Sequence, residues 1–189
     1  MDVIAKMILF LVDNSLDYAN VRWDEEYTTY FMLKKGVKLS CSLPQVRFPI
    51  EARVQPNSGL MNDFLPGPGG TFLVSEEVRD NLALRYAPDS TFCDISIEGV
   101  KERRFVWLLN RFAVLVEPGY KSEPGELGWS KKRWLPANIR EIDIVRESRY
   151  VSRWFCVDQP VNQDEGFYRL VRNQSWTGLT FKEVWNSKE

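Results

Sequence analysis

The chain of 189 residues contains no histidine. That absence removes Ser-His-Asp and Cys-His catalysis, HExxH zinc sites and histidine-based pH switching together. Cysteine is scarce, at three residues (Cys41, Cys93 and Cys156). An odd number placed far apart is neither a disulfide framework nor a CxxC metal or redox site, so three reduced, mostly buried thiols of a cytoplasmic protein are expected. A surplus of charge is also missing. Lys and Arg number 25 against 26 Asp and Glu, which argues against a general binder of nucleic acid or membrane surfaces. No window reaches the roughly 18 apolar residues of a membrane span. The run Met7 to Val12 is short, follows Asp2 and a lone Lys6, and lacks a small-residue cleavage site. It reads as a buried first strand, not a signal peptide.

What is present suits one domain over 1–189, long enough to bury about 70% of the surface its unfolded chain exposes. Residues 1–62 read as irregular β structure. Thr28 to Leu33 is β-branched and aromatic, and Val46 to Phe48 and Ile50 to Val54 are short strand candidates confined to edges or bulges by Pro44, Pro49 and Pro56. Pro66 to Gly70 is the sharpest break. Phe72-Leu73-Val74 leads into Ser75, placed as an N-cap, with Glu76 and Glu77 in a first turn where carboxylates favour the helix dipole. Val78, Leu82 and Tyr86 follow at spacing four, and Ala87-Pro88 ends the pattern, so the helix is predicted over 76–86. Thr91 to Glu98 alternates. Phe105 to Val116 is a nearly continuous apolar strand broken at Asn110-Arg111. Residues 117–138 form a long loop of the length that is usually functional or disordered. Ile139 to Val145 and Val151 to Val157 read as strands, Phe167 to Val171 as a short helix, and Thr177 to Trp185 as a turn into a last strand. This order predicts an α+β fold with a mostly antiparallel sheet.

The chemistry-bearing motifs read as structural. Pro66 to Gly70 precedes a helix, but no Lys-Ser/Thr pair follows and Glu76 and Glu77 would repel phosphate, so it is a turn. Ser75 has no candidate base at SxxK spacing and is better read as a cap. The acidic pairs Asp24-Glu25-Glu26, Glu76-Glu77 and Asp164-Glu165 leave a His-free carboxylate hydrolase as a rival reading, since two carboxylates across a cleft suffice for glycoside hydrolysis. Metal spacing of the DxDxDG type is missing. No catalytic residue, cofactor site or metal site is assigned.

Charge is unevenly distributed. From Val100 to Trp154 there are 12 Lys and Arg against 7 Asp and Glu, leaving an acidic remainder. Inside that stretch Trp129, Lys131, Lys132, Arg133 and Trp134 set three cations between two tryptophans. That composition suits a protein-interface hot spot and, less well, stacking on single-stranded nucleic acid. It equally suits tryptophans that pack the loop down while the cations stay wet. Asp24, Glu25 and Glu26 are the acidic candidates for contact with a basic partner.

Several segments together resemble one family. Asp63-Phe64-Leu65, a glycine-rich gap, and Leu73-Val74-Ser75-Glu76-Glu77-Val78-Arg79-Asp80-Asn81-Leu82 are similar to a block of bacterial immunity proteins from polymorphic toxin systems. Pro88 and Phe92, Leu109-Asn110, and Thr177-Gly178-Leu179-Thr180-Phe181 match further parts of the pattern. The resemblance covers 63–189. A second Val-Ser-Glu helix start is replaced by Phe167-Tyr168-Arg169-Leu170-Val171, and 117–138 is an insertion. The resemblance implies a non-enzymatic cytoplasmic antidote. Such a protein binds a cognate toxin domain stoichiometrically, over about 1,600 Å² of interface, and touches neither nucleic acid nor membrane. Another non-catalytic interaction or scaffold module is the alternative.

Overall fold

A computed structural model describes residues 6–15, 19, 21–22, 50–54, 59–87, 89–118, 132–140, 142–148, 150–159 and 166–188. The fold is α+β and mostly strands. The chain divides into two compact units. One comprises Met1–Asp13, Phe112–Ser175 and Phe181–Glu189, the other Asn14–Arg111 and Trp176–Thr180. Among the described residues, no helix is long and apolar enough to cross a membrane.

The Asn14–Arg111 unit is built on a six-stranded sheet. Its strands are β2 (Val21–Arg22), β3 (Ile50–Val54), β4 (Phe64–Pro66), β5 (Phe72–Ser75), β6 (Ser90–Glu98) and β7 (Arg104–Leu109), in the order β2-β3-β6-β7-β5-β4. Every pairing is antiparallel except β3 with β6. All six residues of β7 are buried, so this strand is covered on both faces, as its unbroken apolar run predicts. The register sets Phe72, Trp107 and Phe92 side by side, and Phe64, Val74 and Phe105 beside them. Helix α1 (Glu76–Tyr86) packs on that face and buries Val78, Leu82 and Tyr86, the three positions of the apolar stripe. The Tyr86 and Trp107 rings lie 6.2 Å apart. Leu65, Leu73, Val106 and Cys93 line the opposite face.

The helix begins where its sequence directs. Ser75 has extended backbone angles and its hydroxyl accepts a hydrogen bond from the Val78 amide at 3.4 Å, one of the donors a helix start leaves unsatisfied. The segment before β5 is a short 3₁₀ turn (Pro68–Gly70) with Gly69 at φ 62°, a left-handed conformation suited to glycine. Phe72-Leu73-Val74, read above as a lead-in, is strand β5, flanked by β4 and β7. Three apolar residues are too short for periodicity to declare a strand.

The other unit carries a five-stranded sheet in the order β11-β1-β10-β9-β8, from β1 (Ile8–Asn14), β8 (Phe112–Ala113), β9 (Ile144–Glu147), β10 (Tyr150–Asp158) and β11 (Leu179–Asn186). β1 with β10 and β10 with β9 are antiparallel, and β8 with β9 is parallel. Leu9, Leu11, Val145, Phe155 and Val157 pack into one core with Leu115, Ile139 and Val184. On the other side Phe10 stacks on Tyr168 at 4.6 Å, beside Phe167 and Val171 of α3 (Phe167–Asn173). Two expectations change here. The apolar run from Phe105 breaks at Asn110-Arg111 and resumes as β8 in this second sheet. Ile139 to Val145 is not one strand: Ile139 ends a helical turn, α2 (Pro136–Ile139), begun by a proline at its first position, and β9 starts at Ile144.

The expectation of three reduced thiols is corrected. Cys93 is disulfide-bonded, and among the described residues only Cys156 is free. Two cysteines distant in sequence are brought together only by tertiary structure, so spacing does not reveal the bond. Burial, with Asp143 and Asp158 nearby, pushes the Cys156 thiol well above its ordinary value, which leaves it inert as a nucleophile.

Candidate functional site

Of the proposed contact residues, Asp24, Glu25, Glu26, Trp129 and Lys131 lie outside the described residues. So do Asp164 and Glu165, and Thr28 to Leu33 and Val46 to Phe48. Lys132, Arg133 and Trp134 are described, at the foot of the 117–138 loop. That foot is tied shut. Val116 forms an antiparallel bridge with Trp134, the Glu117 amide donates to the Arg133 carbonyl at 2.8 Å, and the Leu135 amide donates to the Leu115 carbonyl at 2.8 Å. Alternation across this pairing sends neighbouring side chains opposite ways. Trp134 turns inward, packs against the core and meets Phe155 edge-on at 5.6 Å. Arg133 turns outward, 72% exposed, with Glu117 3.7 Å away. The tryptophan therefore fastens the loop, and the exposed contact chemistry at this end belongs to Arg133.

Among the described residues, several cations of the basic stretch from Val100 to Trp154 are paired or buried. Arg103 is 3.0 Å from Glu76 and 3.4 Å from Asp94. Arg111 holds Asp89 through two donors at 2.7 and 3.0 Å, and Arg153 lies 3.9 Å from Asp13. Arg104 is buried, its guanidinium donating to the carbonyls of Met61, Asn62 and Asp63. Burial lowers its pKa, with Asp63 and Glu102 acting in the opposite sense. Arg146 is fully buried between aromatic rings, 5.2 Å from Trp154 and 5.9 Å from Phe112, and burial pushes its guanidinium down to about 9. Acidic partners and burial thus absorb much of the excess that the linear count displays.

Arg79 and Arg103 both lie over the Phe105 ring, at 4.4 and 5.1 Å. Arg79 is also 3.2 Å from Glu76 and 2.9 Å from Asp80. This mixed network on the α1 side of the sheet was not apparent from sequence, because it joins residues of the helix, β6 and the β6–β7 turn. Outward on α1 stands Leu84, 88% exposed.

The motifs behind the family resemblance converge. The Asp63 carboxylate accepts from the Thr177 amide at 2.9 Å and the Thr177 hydroxyl at 3.0 Å, and from the Ser75 hydroxyl at 3.3 Å. The Asp63 amide donates to Thr177 Oγ1, and the Phe64 amide to the Thr177 carbonyl. Trp176 donates its indole N–H to Glu77 at 3.3 Å. Gly178, at φ 96°, sits so close that a Cβ there would collide with the Phe64 carbonyl oxygen. Asp-Phe-Leu, Val-Ser-Glu and Thr-Gly-Leu are therefore parts of one internal hydrogen-bonded cluster. The polar groups named are hydrogen-bonded to one another within the protein.

Neither the scan against protein-family models nor the search of curated proteins finds a match. Among the described residues no group of three or more Cys, Asp or Glu side chains is arranged to hold a metal ion.

Proposed function

We propose that this protein is a bacterial immunity protein that neutralises a cognate toxin domain by stoichiometric protein–protein binding. One observation supports the reading above others. Three short motifs, separated by up to 114 residues, meet in one cluster, so the pattern behind the resemblance corresponds to a single structural unit. The exposed Arg133 at the loop foot, with Lys132 beside it, is the described part of the surface assigned to the toxin. Trp129, Lys131 and Asp24 to Glu26 complete the proposed set. No catalytic step, cofactor or metal is assigned, and neither nucleic acid nor membrane is a partner in this reading.

The place of action is the cytoplasm, where a toxin delivered by a neighbouring cell or made by the same cell does harm. The test is binding. The purified chain, mixed with the toxin domain encoded beside it, forms a 1:1 complex in light scattering after size exclusion. Two separate species at micromolar concentrations would overturn the reading.

A further inference from the structure

The two sheets end unequally. Among the described strands, three of the four sheet edges are short: β2 has two residues, β4 three and β8 two. An open edge offers unpaired backbone amides and carbonyls to any other strand, and short edge strands are one way that proteins guard against such pairing. β11 is the exception. It runs for eight residues, Leu179–Asn186, at the outside of the five-stranded sheet, where β1 is its one strand neighbour among the described residues. Backbone groups alternate in direction along an antiparallel pair, so about half of those on β11 face away from β1.

The side chains beside this edge have the composition of a binding surface. Phe181 meets Tyr168 of α3 edge-on at 5.0 Å, and both residues are only partly buried. Arg172, exposed on α3, lies over the Tyr168 ring at 5.6 Å. Tyrosine and arginine anchor many interfaces, and a guanidinium stacked on a ring is held in position before a partner arrives. Lys182 and Glu183 follow Phe181, both exposed and on opposite faces of the strand. These charges bear on what can pair with β11. Two copies of β11 paired along their full length about a twofold axis would centre on Lys182 or Glu183 and set that residue against itself. Like charges directly opposite destabilise a strand pair. A different chain with an acid opposite Lys182 and a base opposite Glu183 gains from the same positions.

We infer that the outer edge of β11 takes an added strand from the toxin domain, with an apolar side chain of that strand seated on Phe181 and Tyr168 beside Arg172. The inference rests on the toxin reading and extends its contact surface beyond the residues assigned above. In strand addition, main-chain hydrogen bonds hold the partner and the side-chain positions select it.

Residue-resolved hydrogen exchange on the full chain, with and without the toxin domain encoded beside it, tests this. In the free chain the β11 amides that face away from β1 exchange faster than their neighbours. In the 1:1 complex those same amides slow by about 10-fold or more. Arg172→Ala and Lys182→Glu, both at exposed positions, each weaken the complex by about 10-fold with the unfolding midpoint unchanged. A complex that forms with these amides unaltered, or that keeps full affinity in both variants, overturns the added strand and leaves the toxin reading standing. Outward amides already protected in the free chain, or a dimer of the chain alone in light scattering, would mean that the protein occupies this edge itself, and would overturn the inference too. Absence of any complex removes the toxin reading and this inference with it.

Discussion

Trp134 and Arg133 are neighbours with opposite assignments, and substitution separates them. Trp134 meets Phe155 and packs on the core. Its replacement by Ala should cost about 3 kcal/mol, the lower end for truncating a core aromatic, read by denaturant unfolding of the full chain. Arg133→Ala should change stability by less than about 0.5 kcal/mol and weaken toxin binding. Equal losses of stability in the two variants would contradict the inward and outward placement. Arg146 makes a different prediction. Its guanidinium, pushed down to about 9 by burial, holds its proton less tightly folded than unfolded. Below pH 9 both states are protonated and its contribution is constant. Above pH 9 the unfolded chain binds more protons, so this group's contribution to stability rises with pH. Wild type should therefore gain stability relative to Arg146→Met between pH 9 and 11, the comparison cancelling other titrating groups. A flat difference would show that the guanidinium stays charged inside the fold.

At the scale of elements, what was legible depended on how local the cause was. Helix α1 was readable because its cap, its first-turn acids and its apolar spacing all lie within twelve residues, 75–86. Strands β6, β10 and β11 were readable from alternation or apolar runs. Ile139 to Val145 misled because a proline-started helical turn and a strand buried at every position together mimic alternation. β4 and β5 were missed because each is too short to show a period. The candidate site was less legible still. The Trp129–Trp134 motif gave composition without direction, and only pairing with Leu115 to Glu117 shows that Trp134 faces the core. The Asp63, Ser75 and Thr177 cluster was visible as three motifs but not as one contact, since nothing in the sequence brings residues 114 apart together.

For the whole molecule, charge and redox state bear on function. Among the described residues of the basic stretch from Val100, Arg103, Arg111 and Arg153 are paired and Arg104 and Arg146 are buried, so the linear excess is a weak guide to surface charge. The Cys93 disulfide belongs to an oxidising environment, and a cytoplasmic protein normally keeps its thiols reduced. Acid-quenched cells alkylated after denaturation decide between them. Cytoplasmic residence predicts that Cys93 is alkylated in the cell and oxidises only after lysis. A Cys93 peptide that stays unmodified until reduction would place the protein in an oxidising compartment and remove the cytoplasmic assignment.

The central claim, neutralisation by binding and not by chemistry, is tested most directly by titrating a fixed amount of active toxin domain with the purified protein. Stoichiometric inhibition predicts that residual toxin activity falls linearly to a sharp end point at equal molar amounts and does not fall further with time. Loss of activity at a small fraction of that ratio, progressing with incubation, would mean that the protein turns over as an enzyme. No loss at a large molar excess would mean that this toxin is not its partner.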